Sequence, residues 1–102
     1  MSREVVERSI DNSLCFGAYD GDQQAGFARV VTDAATYAHL MDVFVLAEHR
    51  GRGIGKQLVR AVMSHPDLQG LRKFTLHTKD AHSLYEEFGF RRVEGEDLLM
   101  EL

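Results

Sequence analysis

The sequence predicts a mixed α/β domain with a mostly antiparallel sheet flanked by helices. Three observations carry this. The first 46 residues hold three alternating, strand-like segments joined by turn signals. Between 38 and 78 a strand, a glycine-bearing polar loop, a helical pattern and a second strand follow one another. Such a crossover joins parallel neighbours, whereas the other connections suit antiparallel pairs. The chain closes with a helical pattern stopped at Gly89 and two short strand segments.

Taken in order, residues 3–10 read as a helix: Ser2 caps it, Glu4 suits its first turn, and Val6 and Ile10 share a face. Asp11-Asn12-Ser13 ends it. Residues 14–19 alternate as a strand and run into Asp20-Gly21, a hairpin signal. A second strand, 24–32, sets Phe27, Arg29 and Val31 on one face and Ala28 and Val30 on the other. A turn over 33–36 leads to a third strand, 38–46, dense in β-branched and aromatic residues. A helix is expected over 53–64, with Ile54, Leu58, Ala61 and Val62 as its apolar face and Pro66 forbidding its continuation. Residues 73–78 form a strand. Asp80 is expected to cap a helix whose apolar face is Ala81, Leu84, Tyr85 and Phe88. Gly89 supplies the left-handed residue after it and Phe90 the hydrophobic contact that accompanies such an end. Strands near 91–93 and 98–102 flank a turn at Gly95-Glu96-Asp97.

Composition narrows the function. A chain of 102 residues fits one domain, 1–102. The single cysteine, Cys15, excludes an intramolecular disulfide framework and a multi-cysteine zinc site, and is expected to pack as a small apolar residue. His49, His65 and His77 show no mutual metal-ligand spacing, so no metal is expected. No apolar run approaches ~18 residues, and the charged N-terminal segment contains no signal-peptide core, so a cytoplasmic protein is expected. Twelve Lys and Arg against 16 Asp and Glu give a net charge of −4, which argues against nucleic-acid binding. Yet from His49 to Pro66 there is no acid, while Arg50, Arg52, Lys56 and Arg60 all lie there. A local basic stretch in an acidic chain suits a small polyphosphate ligand; a solvated helix face is the alternative.

The loop His49-Arg50-Gly51-Arg52-Gly53-Ile54-Gly55-Lys56 stands between a strand and a helix. Glycines there let backbone approach a ligand, and unpaired amides at the helix start, with nearby cations, make an anion site. It is not a P-loop, which needs Gly at 50 and Ser or Thr at 57, where Arg50 and Gln57 stand. Nor is it a dinucleotide fingerprint, whose third glycine would fall at Lys56 or Leu58.

What remains is Arg-x-x-Gly-x-Gly, as Arg50, Gly53 and Gly55, inside a strand-to-loop passage running from Val45 to Gly55. It resembles the pyrophosphate loop of the GNAT superfamily of N-acetyltransferases. The later block from Asp80 to Phe90 resembles that family's Ala-x-x-x-Tyr-x-x-x-Gly-Phe motif as Ala81, Tyr85, Gly89 and Phe90. The resemblance covers nearly the whole chain. It implies a single-domain GNAT-like sheet whose two central parallel strands, 38–46 and 73–78, splay apart. It also implies acetyl-CoA as co-substrate, its pantetheine arm in that gap against the backbone of Phe44, Val45 and Leu46. Arg50, Gly51, Arg52, Gly53, Ile54, Gly55 and Lys56 would hold the pyrophosphate, and Tyr85 would face the sulfur. Two departures stand out. Thr78 occupies the position, seven before the tyrosine, where the family often has Asn. The strand and helix with which the family normally begins are expected to be missing, leaving the edge of 14–19 bare and inviting a homodimer or an exchange of strand 98–102.

The implied reaction is direct attack of an acceptor amine on the thioester, with the Val45 N–H polarising the carbonyl and Tyr85 as general acid. For the general base the sequence leaves Asp42, His39 or a water relay open. Asp42 is conspicuous within the apolar run 40–46 and must find a partner or a wet cleft. Two other classes stay in view: a coenzyme A-binding module without catalysis, and a purely structural interaction domain. No pattern names the amine acceptor.

Overall fold

The computed structural model describes residues 2–102. Its helices are α1 (Arg3–Asp11), α2 (Ile54–Ser64) and α3 (His82–Glu86). Its strands are β1 (Leu14–Asp20), β2 (Gln23–Thr32), β3 (Tyr37–Val45), β4 (Lys73–His77), β5 (Arg91–Arg92) and β6 (Leu99–Glu101). Short 3-10 turns occupy Ala47–His49 and Pro66–Leu68. One six-stranded sheet runs in the order β1-β2-β3-β4-β6-β5. Every neighbouring pair is antiparallel except β3 and β4, which the α2 crossover brings side by side in parallel.

Local chemistry accounts for most element ends. Ser2 caps α1, its side chain accepting from the Val5 N–H at 3.3 Å. Asp33 ties the β2–β3 turn, its Oδ1 accepting from the N–H groups of Ala35, Thr36 and Tyr37. Gly89, at φ +94°, ends the α3 segment, and the following Phe90 amide donates back to Tyr85 O at 3.2 Å. The β1–β2 turn is centred on Gly21-Asp22, one residue beyond the Asp20-Gly21 signal, because Asp20 still pairs with Gln23.

Three expectations need correction. The buried face of α2 is Leu58, Val59 and Val62, with Ala61 exposed. The sheet lies where Val59, not Ala61, completes the stripe. Asp80 does not cap α3. The Ala81 N–H donates instead to Thr78 Oγ1 at 3.0 Å, and α3 is only five residues long. Cys15 is exposed rather than buried, because alternation along the edge strand β1 turns Leu14, Phe16 and Ala18 toward the core.

The core lies on one face of the sheet. Leu58, Val59 and Val62 of α2 meet Ala28, Val30, Ala38, Leu40, Phe74, Leu76 and Met100 from four strands, with Tyr85 and Phe90 completing the cluster. Each fully buried Val or Leu there contributes roughly 1.5–3 kcal/mol. Gly26 lets α2 settle onto β2: a Cβ at that position would stand 2.9 Å from Phe44 O and 3.1 Å from Leu58 Cδ1. The opposite face carries α1, none of whose residues is buried.

Candidate active site

β3 and β4 pair from Tyr37–Lys73 to Leu40–Leu76 and no further. Beyond that point a cleft of about 390 Å³ opens, walled by residues 40–43 of β3 on one side and by residues 76–81 and Tyr85 on the other. The parting coincides with a bulge, where the β2–β3 register shifts between Phe27 and Arg29 and Asp42 takes φ +56°. A bulge bends and twists the strand that carries it, and Asp tolerates the left-handed region better than most residues. Arg29, largely buried, pins the bulge: its Nε donates to Asp42 Oδ2 at 2.8 Å and its Nη1 to Ser13 Oγ at 3.0 Å. Asp42 thus has the partner that its place in an apolar run demanded.

The far end of β3 also lacks β4 as a neighbour. The Leu46 N–H donates to Ala25 O at 2.8 Å, and Val45 stands opposite Gly26. Ladder groups alternate sides along a strand, so the Val45 N–H points away from β2, into the space where β4 is no longer paired. The Val45 carbonyl points the same way and accepts from Arg50 Nε at 3.1 Å.

The loop between β3 and α2 sits beside this space. Gly51 and Gly53 take φ +80° and +76°, while a Cβ on either would meet nothing within 4 Å. Backbone conformation, not crowding, requires glycine at both. The first hydrogen bond of α2 is Gln57 N–H to Gly53 O, at 3.1 Å. Among the described residues, the amides from Gly51 to Lys56 have no acceptor in the chain. A run of unpaired amides at the positive end of a helix is an anion cradle. Gly55 lies against the Val45 side chain, so the cradle adjoins the β3 wall of the cleft.

The loop cations are held by exposed partners. Arg52 Nη1 donates to Asp20 Oδ2 at 3.1 Å, and Lys56 Nζ to Glu87 Oε1 at 3.3 Å. Exposed pairs of this kind are weak, so either cation can turn to a phosphate at little cost. Beneath them His49 is buried; its Nδ1 lies 3.1 Å from Arg52 Nη1, and its Nε2 has no partner among the described residues.

Tyr85 closes the other side of the cleft. Its ring packs edge-on against Phe90, and its hydroxyl makes no hydrogen bond with the described chain. Burial, reinforced by the charge of Asp80, pushes its phenol above the ordinary value of 10.0. Thr78 is occupied at the start of α3, where its Oγ1 accepts from Ala81.

Just short of the cleft, where β3 and β4 still pair, stand residues that the sequence did not bring together. His39 Nδ1 lies 2.6 Å from Thr75 Oγ1, which is 2.7 Å from the Tyr37 hydroxyl. The rings of His39 and His77 stand 5.3 Å apart. Burial, with the nearby His77, lowers the His39 pKa below its ordinary 6.5. Neither Arg29 nor His77 was singled out from the sequence; their only signal was period-2 alternation, which put both on the face away from the core. An apolar hollow of about 620 Å³ adjoins the cleft on the α1 side, walled by Val6, Ile10, Phe27 and Phe44 and sharing residues 41–43 with it.

Comparison with known proteins agrees with this geometry. Residues 11–92 match the acetyltransferase (GNAT) domain family. A Gibberella zeae protein named as an acetyltransferase is 30% identical across 76% of this chain and 54% of its own length. A crystal structure of a GNAT-family protein from Xanthomonas campestris pv. campestris is 58% identical with a TM-score of 0.85, covering 89% of this chain and 64% of that one. A Staphylococcus aureus structure is 27% identical with a TM-score of 0.79, covering 93% of this chain and 74% of that one. The chain therefore spans about half of the Gibberella relative's length and just under two thirds of the Xanthomonas protein's.

Proposed function

The chain belongs to the GNAT acetyltransferase family, and from that premise we propose that it transfers the acetyl group of acetyl-CoA to an amine. The observation that carries the proposal is the run of unpaired amides from Gly51 to Lys56, set beside a cleft where two parallel strands part. The amides bind the pyrophosphate, with Arg50, Arg52 and Lys56 as neighbouring cations. The pantetheine arm follows β3 into the cleft alongside Phe44, Val45 and Leu46. The unpaired Val45 N–H polarises the thioester carbonyl, and Tyr85 protonates the departing sulfur.

Asp42, the carboxylate the sequence offers as base, lines the cleft while its Oδ2 accepts from Arg29. A homodimer formed along the free edge of β1 belongs to the same proposal, as does a cytoplasmic setting, where acetyl-CoA is available. Among the described residues no helix is long and apolar enough to cross a membrane.

Thermal melting with acetyl-CoA, paired with a thiol-release assay over a panel of amines, tests this reading. Stabilisation with amine-dependent thiol release is the expected result. Stabilisation with no turnover on any amine favours a coenzyme A-binding module instead. Indifference to millimolar acetyl-CoA leaves only a structural domain.

A further inference from the structure

We infer that His77 is the general base of the transfer, with His39 as its positioning residue; this rests on the acetyltransferase reading above. Three observations converge. His77 is exposed at the end of β4 and lines the same cleft as Tyr85, where an acceptor amine must arrive. Its ring stands 5.3 Å from that of His39, which is anchored through Nδ1 to Thr75 and through Thr75 to Tyr37. With Nδ1 committed to that network, His39 keeps its ring in place and only its Nε2 free of it. The other candidate from the sequence, Asp42, is tied to Arg29.

The charged and titratable surroundings suit the role. Across the β3 side stands His39, whose pKa is lowered by burial and by the neighbouring His77, so its charged form is disfavoured there. On the β6 side its register partner is the apolar Leu99; Glu101, two residues along, is held by Lys73 at 2.6 Å. Asp42, Lys79 and Asp80 line the remainder of the cleft.

The step balances. The His77 imidazole takes a proton from the acceptor ammonium and becomes imidazolium. The amine lone pair then forms the N–C bond as the C–S bond breaks. Tyr85 gives its proton to the sulfur and is reprotonated by the proton shed from the new amide nitrogen. His77 returns its proton to water through the open rim.

The test compares two nucleophiles: phenethylamine, an ammonium at neutral pH whose apolar body suits the adjoining hollow, and methoxyamine, which is already neutral. In the wild-type chain kcat/KM for phenethylamine should rise with pH along a limb set by the general base. His77→Gln should remove that limb and lower the rate by about 10²–10³-fold, while methoxyamine transfer falls by less than about tenfold. His39→Gln should keep the limb with a smaller loss. Equal acetyl-CoA stabilisation of wild type and His77→Gln checks that the fold and the loop are intact. If His77→Gln keeps the limb with phenethylamine, the assignment is overturned while the acetyltransferase reading stands. If the wild type acetylates neither these two nor any other amine of the panel, that reading is overturned, and this inference with it.

Discussion

At the scale of single residues, the proposed transfer turns on whether a proton is available at the sulfur. Tyr85 has a hydroxyl without an acceptor among the described residues and a pKa raised by burial, so the phenol stays protonated across the working range. Tyr85→Phe keeps the ring against Phe90 and removes only the proton. We expect kcat to fall by about 10²–10⁴-fold, with acetyl-CoA affinity changed by less than about tenfold. Because the pKa lies above 10, the ratio of wild-type to Phe activity should stay constant from about pH 7 to 9. The deficit should shrink for an acyl donor whose thiol is more acidic, since such a group leaves unaided. Equal turnover of the two proteins under chemistry-limited conditions would make Tyr85 a packing residue only.

At the scale of elements, the loop entering α2 and the turn entering β3 each make a contribution that can be measured. Gly53 holds φ +76° in open space, so an aspartate there adds strain and a negative charge where the pyrophosphate is expected. Acetyl-CoA at 100-fold over its dissociation constant should stabilise the wild type by about 2.7 kcal/mol, on the order of 10–20 °C in Tm. Gly53→Asp should abolish that shift, with the unliganded protein still melting cooperatively a few degrees below the unliganded wild type.

The turn makes a pH-dependent contribution. The Thr36 hydroxyl, the Thr36 amide and then the Ala35 and Tyr37 amides hold the Asp33 carboxyl well below the usual carboxylate range. Folding therefore favours its ionised form. The contribution is complete above the unfolded value of about 3.9 and fades as pH falls below it. Asp33→Ala should lower Tm by a few degrees at pH 7, and its melting should converge on that of the wild type as pH drops from about 4 toward 2. A difference independent of pH would assign the effect to turn geometry rather than to the charge.

At the scale of the whole molecule, β1 is the end strand of the sheet: among the described residues its seven pair only with β2, and Tyr19 on it is exposed. An unpaired ladder edge is a template for another strand. We expect association through this edge, seen as a concentration-dependent rise in mass by sedimentation at tens of micromolar; a clean monomer would reject it. Exchange of the last strand is the less economical route, because β6 already lies between β4 and β5 of its own sheet and the Leu102 N–H donates to Phe74 O at 2.9 Å.

Element order, the parallel crossover and the glycine passage into α2 were legible in the sequence because each depends on neighbours within a few residues. Alternation marks β1 to β3, Gly51 and Gly53 mark the loop, and Gly89 with Phe90 marks the end of α3. Tyr85 was singled out by its spacing from Ala81 and Gly89, but its place on the cleft wall came from the fold. Tertiary structure decided the rest. Val59 replaces Ala61 in the core because the position of the sheet, not helical period alone, selects the buried stripe. Arg29 meets Asp42 only because antiparallel pairing across a bulge folds a 13-residue separation into a contact. His39 meets His77 only because β3 and β4 pair in one parallel register and then part. Local periodicity fixes which face a side chain takes; register between distant strands, set by packing of the whole core, fixes which side chain stands across from it.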